Sequence, residues 1–99
     1  MYVSLSRLRV PAERADELVT AFRGRAGLVE RFDGFVDLQV WQSDRDPGEL
    51  TMVSRWRDRE CFKTYMKSRD HQVSHDRIDP DLDAAIKLER LEHMHVVAE

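Results

Sequence analysis

FVDLQVWQSDRDPGELTMVSRWRDRECFKTY, residues 35–65, contains two strand patterns, the turn between them and the start of a helix. FVDLQVWQS and ELTMVSRWR are rich in β-branched and aromatic residues, which favours strands. DRDPG at 44–48 consists of turn-forming residues and predicts a hairpin loop. Asp58 is a suitable N-cap for a helix that includes Phe62, Tyr65 and Met66. This stretch therefore predicts a strand, a hairpin, a second strand and a helix.

On the N-terminal side, YVSLSRLRV at 2–10 alternates apolar and polar residues, as a half-buried strand does. Pro11 ends it and suits a helix start. A helix is predicted from Pro11 to about Arg31, with apolar residues at helical spacing: Ala15, Leu18, Val19, Phe22, Ala26 and Val29. Gly24 and Gly27 weaken this helix and predict a kink or a close packing contact. The DGF sequence at 33–35 predicts a turn.

On the C-terminal side, SRDHQVSHDRIDPDLDAA at 68–85 predicts short helical pieces that break before Pro80. LERLEHMHVVA at 88–98, which includes Val96 and Val97, predicts a fourth strand. The order is then β-α-β-β-α-β, an α+β ferredoxin-like arrangement with an antiparallel sheet and helices on one face. The whole chain, 1–99, is expected to form a single domain.

Composition narrows the choice of partners. Sixteen Lys and Arg residues against 19 Asp and Glu residues give a net charge of −3, with no dominant basic stripe, so nucleic acid is not expected as a partner. MYVSLSRLRV lacks the apolar run of a signal peptide, and no stretch is long enough to cross a bilayer. A cytoplasmic protein without membrane contacts is expected. A chain this short gains burial by association, which favours a dimer.

Several of these segments together carry a family resemblance. GFVDLQVW at 34–41, LTMVSRWRDRECFKTY at 50–65 and a histidine after a further short segment resemble the antibiotic biosynthesis monooxygenase (ABM) superfamily of dimeric α+β barrels. Within it, the chain is most similar to the IsdG-like heme-degrading monooxygenases. The resemblance implies a homodimer that holds heme as both cofactor and substrate and takes electrons from a separate reductase.

The resemblance also implies a site of three residues. The heme-degrading family has an Asn on the first strand, a Trp on the second long helix, and an iron-ligating His about ten residues later. The matching positions here are Ser6, Tyr65 and His75. A serine hydroxyl can still donate a hydrogen bond toward a ligand on iron, although it reaches less far than an amide. A tyrosine is smaller than a tryptophan and would press differently on a porphyrin.

A heme site also needs an apolar slot and a cation for the propionates. The slot is expected to be formed by four apolar side chains: Phe22, Val53, Phe62 and Met66. Arg25 is the candidate for a propionate. His71 lies one helical turn before His75, so the two could share a divalent metal, although a third ligand is missing. His71 is otherwise expected to be exposed to solvent, or to replace His75 as the axial ligand.

The remaining notable side chains favour structural roles. His93 and His95 lie on one side of the last strand and are expected to pack at the sheet or at a dimer interface. Trp56 is predicted to be in the core, and Trp41 at a dimer contact. Cys61 has no partner for a disulfide and no nearby histidine in sequence, so it is predicted to be a small buried apolar residue.

Three functions remain open at this point. The first is a heme-degrading-type monooxygenase, with His75 on the iron, Ser6 hydrogen-bonding its ligand and Tyr65 shaping the macrocycle. The second is an ABM-type monooxygenase without a cofactor, in which Tyr65, Ser6 and either Arg25 or His75 bind and deprotonate a hydroxyaromatic or quinol substrate. The third is a non-catalytic heme-binding protein. All three require a small-molecule ligand.

Overall fold

The computed structural model describes residues 1–24 and 28–99, apart from the side chains of residues 74 and 75. Four strands and four α-helices follow one another in the described chain: β1 (Tyr2–Arg9), α1 (Ala15–Arg23), β2 (Phe35–Gln42), β3 (Glu49–Trp56), α2 (Arg59–Met66), α3 (Arg69–Asp76), α4 (Pro80–Ala85) and β4 (Lys87–His95). Short 3₁₀ turns at Ala12–Arg14 and Val29–Arg31 precede and follow α1.

The strands form one antiparallel sheet in the order β2-β3-β1-β4. This order and connectivity confirm the predicted ferredoxin-like fold. Successive side chains of a strand point to opposite faces of a sheet. The even-numbered residues of β1 face the helices, and its odd-numbered residues face away from them. We call the side without helices the open face.

Two apolar clusters join the helices to the sheet. The first surrounds Trp56, which is 1% exposed and confirms the prediction of a core tryptophan; its buried members are Tyr2, Val29, Trp56, Cys61 and Tyr65. The second lies at the other end of the sheet and contains Val10, Ala15, Leu18, Leu50 and Leu82. The space between the clusters is where a cavity forms.

The first helix is shorter than predicted. α1 ends at Arg23, where the Gly24 N–H still donates to the Thr20 carbonyl over 3.0 Å. The chain forms a separate 3₁₀ turn at Val29–Arg31, so the prediction of one helix to Arg31 is wrong. Glycine is a poor helix former, and burying Val29 against the Trp56 cluster does not require a continuous helix. Gly27 lies outside the described residues.

The predicted start of α2 is confirmed. The Asp58 carboxylate accepts a hydrogen bond from the Cys61 N–H at 2.9 Å, and this bond lowers the pKa of Asp58. Pro80 occupies the first turn of α4 behind the Asp79 cap, as expected for a helix that restarts at a proline.

β4, in contrast, ends at His95, so the predicted inclusion of Val96 and Val97 is wrong.

Val97 is 93% exposed, because no neighbouring strand continues beside it. Among the described residues, no helix is both long and apolar enough to cross a membrane.

Candidate active site

A cavity of about 620 Å³ lies between the sheet and the helices. Its volume falls within the roughly 300–1,000 Å³ of typical small-molecule sites. Most of its wall is apolar, and the larger apolar side chains are Phe22, Leu38, Met52, Trp56, Phe62 and Met66. The helices supply Phe22, Phe62 and Met66, and the sheet supplies the others. Such a wall suits a large, flat and mostly apolar ligand.

The sheet provides three serines to the floor of this cavity. Ser4 and Ser6 lie on β1, and Ser54 lies on β3 directly opposite Ser4. The Trp56 Nε1–H donates to the Ser54 Oγ over 3.1 Å, which holds both side chains in place. Small side chains on the floor leave room above the sheet, and their hydroxyls can donate to or accept from a ligand.

Two rings from the helices face this floor. Tyr65 comes from α2 and His71 from α3, and their ring centroids lie 5.3 Å apart in an edge-to-face arrangement. Ser68 organises the junction between the helices, because its hydroxyl donates to the Tyr65 carbonyl at 2.5 Å and accepts from the His71 N–H at 3.2 Å. Both rings are therefore positioned by a local turn and by packing.

The other polar groups of the wall are basic. Arg77 follows α3 and donates to the Gly24 carbonyl over 3.4 Å. His93 lies on β4, where its ring contacts Tyr2 and Phe62. No Asp or Glu lies among the described residues that line the cavity. The wall consequently favours neutral or anionic ligands over cationic ones.

The cavity brings together most of the residues that the sequence singles out. The alternative ligand His71 lines it, and so do five of the residues predicted for the site and its slot: Ser6, Phe22, Phe62, Tyr65 and Met66. Val53 does not, so its predicted place in the slot is wrong. It lies between Met52 and Ser54, which face the cavity, and strand alternation turns it to the open face.

Two predicted residues fall outside this description. Arg25 lies outside the described residues, and the side chain of His75 is likewise not described. His75 itself belongs to α3, four positions after His71. His71 is half-buried in the cavity wall, which corrects the expectation of an exposed side chain. The reason is the edge-to-face contact with Tyr65, which follows from the turn between α2 and α3.

Sequence reasoning missed Ser4, Ser54 and the cavity position of His93. Its prediction that His93 and His95 pack at the sheet is confirmed, since both rings contact Tyr2. The available signal was strand alternation, which puts Ser4 and Ser6 on one face of β1. The pairing of β1 with β3 and β4 could not be read from that pattern, and this pairing brings Ser54 and His93 beside Ser4.

Cys61 is buried, which confirms the prediction of a small buried side chain. It is not among the residues that line the cavity. Burial raises the pKa of the thiol, which keeps it protonated and disfavours a nucleophilic role. In the part of the chain that is described, no group of three or more His, Cys, Asp or Glu residues could hold a metal ion.

A ferredoxin-like α+β domain with an apolar cavity between sheet and helices is suited to binding a small molecule. Residues 1–77 match the antibiotic biosynthesis monooxygenase family. The chain therefore belongs to this family, and it is an ABM-type monooxygenase.

Its relatives include a heme-degrading monooxygenase of Halalkalibacterium halodurans, which is 27% identical over 79 residues, or 78% of this chain and 67% of the relative. The solved structure of the heme degrader MhuD from Mycobacterium tuberculosis, with two hemes bound in its active site, has a TM-score of 0.83 at 21% identity. That likeness covers 100% of this chain and 98% of MhuD.

A mutant of SnoaB, a cofactor-independent oxygenase from Streptomyces nogalater, has a TM-score of 0.79 at 14% identity. That likeness covers 99% of this chain and 94% of SnoaB. At these identities the two solved structures support the fold.

Proposed function

We propose that this monooxygenase binds heme in the cavity and opens the porphyrin ring with dioxygen and electrons from a separate reductase. The observation that carries the proposal is the 620 Å³ apolar cavity, whose wall includes a histidine of α3. The relative of Halalkalibacterium halodurans, named a heme-degrading monooxygenase, adds support at the level of sequence. In this proposal residues 1–99 act as one ABM-type domain.

The described wall fits such a group. Phe22, Phe62 and Met66 offer an apolar surface for a macrocycle, and the basic lining suits the carboxylates that heme carries. If heme binds here, His75 would hold the iron, with His71 as the alternative. The two positions are one helical turn apart, and residues four apart share a helix face. The cavity position of His71 therefore supports a histidine of α3 as the residue that would hold the iron.

Residues of β1 and α2 have the remaining proposed roles in binding and orienting heme. When bound, heme supplies the iron chemistry with dioxygen and is itself the ring to be opened. With heme in the cavity, the Ser6 hydroxyl would donate a hydrogen bond toward the reacting centre, and the Tyr65 ring would set the orientation of the macrocycle. Phe22 and Phe62, both half-buried in the wall, limit the access of water, which strengthens any hydrogen bond made inside. Arg25 is proposed to meet a propionate.

A second candidate is oxygenation without a cofactor. The edge-to-face pair of Tyr65 and His71 above the Ser6 hydroxyl favours it, because a phenol, an imidazole and a hydroxyl can together bind and deprotonate a hydroxyaromatic or quinol substrate. The shared fold with the cofactor-independent oxygenase SnoaB agrees with this candidate. In it, Arg25 or His75 would assist the deprotonation.

A heme titration of the purified apo protein tests the proposal. We expect a saturable Soret band that is lost in His75→Ala and retained in His95→Ala, since His95 is not among the residues that line the cavity. Loss in His71→Ala instead would assign the ligand to His71. A reductant added in air should then convert the bound heme to an open-chain product.

Two other results would replace the proposal. A saturable band that stays stable under reductant would identify a non-catalytic heme-binding protein. The absence of saturable binding would reject both heme functions, and oxygen consumption with hydroxyaromatic substrates would then test the cofactor-free candidate.

We also propose that two copies associate through the open face as a homodimer. Trp41 on β2 is 47% exposed there, and Met94 on β4 is 46% exposed. Large apolar side chains on an open sheet face favour association with a second surface. The Arg55–Asp37 pair, at 3.7 Å, adds charged groups of both signs that a second copy could meet.

A further inference from the structure

Three polar side chains form a row across the cavity floor. In the register of the sheet, Ser4 is directly opposite Ser54 on β3 and directly opposite His93 on β4. Side chains of directly opposed residues point to the same face of a sheet. All three residues line the cavity. The row therefore runs from the middle of the sheet to its edge, where His93 is the last member.

The His93 ring is held in position by aromatic contacts. Its centroid lies 5.6 Å from that of Tyr2 and 5.4 Å from that of Phe62. The side chain is nevertheless exposed, because β4 is an edge strand. An imidazole at the mouth of a cavity can donate to a ligand group that itself stays in contact with water. Little side-chain entropy is lost on binding, since packing already restricts the ring.

We propose that His93, with Ser4 beside it, binds an anionic oxygen group carried by an otherwise apolar, planar ligand. If the ligand is heme, this group is a propionate carboxylate, and only that assignment rests on the proposed function. The apolar wall takes up the body of the ligand, and the exposed edge of the floor accepts the group that is most costly to dehydrate. No Asp or Glu of the described lining would repel it.

Arg77 is the other side chain of the described wall that could bind an anionic group in place of His93. Its guanidinium donates to the Gly24 carbonyl at the end of α1, so it lies on the helix side of the cavity. His93 lies on the sheet side. The two therefore offer separate positions to an anion, and each can be removed without the other.

A pair of fluorescent probes tests the site without heme. Anilinonaphthalene sulfonate and N-phenylnaphthylamine share an aromatic body, and only the first carries an anionic oxygen group. We expect His93→Phe to weaken binding of the sulfonate about tenfold, as loss of a charge-assisted hydrogen bond does, and to leave the neutral probe unchanged. Phenylalanine keeps a ring against Tyr2 and Phe62, so unchanged binding of the neutral probe also reports an intact fold.

His95→Phe is the matched control. His95 lies on the same strand and face, contacts Tyr2 at 5.5 Å, and is not among the lining residues. It should leave both probes unaffected, and His93→Gln, which keeps a donor, should recover part of the affinity for the sulfonate. Equal binding of both probes by the unaltered protein would refute the site. So would a sulfonate preference that survives His93→Phe, or that disappears only in Arg77→Gln.

Comparing the binding of heme with that of its dimethyl ester tests whether the anionic group is a propionate. If heme binds, His93→Phe should weaken heme about tenfold and leave the ester, which has no free carboxylate, unchanged. Equal loss for both would contradict the propionate assignment. Failure of heme to bind at all, together with the expected probe result, would reject the proposed heme function and leave the anion site in place.

Discussion

Ser6 is a single hydroxyl in an otherwise apolar row of the cavity floor. It lies opposite Met52 on β3 and opposite Leu91 on β4, and both of these side chains also line the cavity. A hydrogen bond made from such a position meets little competition from water, so its length and direction matter. The reach of the side chain at position 6 should therefore control how strongly it acts on a ligand.

The Tyr65 ring is packed against three other aromatic rings. Its ring centroid lies 5.1 Å from that of Phe32, 5.3 Å from that of Trp56 and 5.3 Å from that of His71. Three aromatic neighbours restrict the ring, while one side of it remains against the cavity. A larger ring at this position can extend only toward the ligand.

The double variant Ser6→Asn, Tyr65→Trp should raise heme turnover about tenfold, if heme is the substrate. The amide reaches further than the hydroxyl, and a single well-placed donor can change a rate by that amount or more. Single-turnover loss of the Soret band under reductant would measure it. Thr51→Asn, which puts the same amide on the open face of β3, is the control. Unchanged turnover in the double variant would contradict the roles of positions 6 and 65, and no turnover in either protein would argue that the cavity does not act on porphyrin.

At the scale of elements, two turns position the cavity wall. One is the α2–α3 junction at Ser68, which brings His71 against Tyr65. The other is the turn before β2, where Gly34 has a φ of +82° and its carbonyl accepts from the Arg57 N–H at 2.7 Å. A side chain at Gly34 would clash with the Sγ and Cβ of Cys61 in α2. This glycine lets α2 pack closely against the entry to β2.

Gly34→Ala should lower the free energy of unfolding by about 2 kcal/mol or more, because left-handed backbone is unfavourable for alanine and the added Cβ overlaps Cys61. Urea denaturation would measure the change. Gly24→Ala is the matched control, since among the described residues a Cβ there meets the Thr20 and Ala21 carbonyl oxygens at ordinary distances of 3.5 and 3.9 Å. Similar losses in both variants would contradict this account of the turn.

At the scale of the whole molecule, the two faces of the sheet have different uses. The helix-covered face encloses the cavity within one protomer. The open face presents Trp41, whose Nε1–H donates to the Gln39 Oε1 at 2.9 Å, and ion pairs such as Arg7–Glu49 at 3.3 Å. Exposed surface pairs of this kind add little stability to a single chain. They are well placed to meet a second copy.

Trp41→Glu should convert the proposed homodimer into monomers of 11.7 kDa, measured by sedimentation equilibrium. The substitution removes an aromatic surface of about 150–250 Å² and puts a charge at the contact. Val97→Glu is the control, because Val97 is 93% exposed beyond the end of β4. If the unaltered chain already sediments as a monomer, the proposed dimer is wrong.

Local patterns were sufficient for the order of the elements. The hairpin around 44–48, the cap at Asp58 and the break before Pro80 each depend on residues within a few positions of one another. Ser6 and Tyr65 were named by the resemblance to the heme-degrading family, and both line the cavity. The sequence by itself therefore determined the fold class and the three apolar wall residues Phe22, Phe62 and Met66, and the resemblance added Ser6 and Tyr65.

Only the tertiary structure decided which distant residues meet. Ser54 and His93 join Ser4 through strand register, which depends on packing of the whole sheet, and no local pattern reports it. Val53, in contrast, faces away from the cavity by simple strand alternation beside Met52 and Ser54, so its orientation was within reach of the local pattern. α1 ends at Arg23, and Val29 still reaches the Trp56 cluster from a separate 3₁₀ turn, a tertiary contact that helical spacing alone does not predict. Helix and strand periods act over a few residues, whereas pairing and burial act between segments that are far apart in the chain.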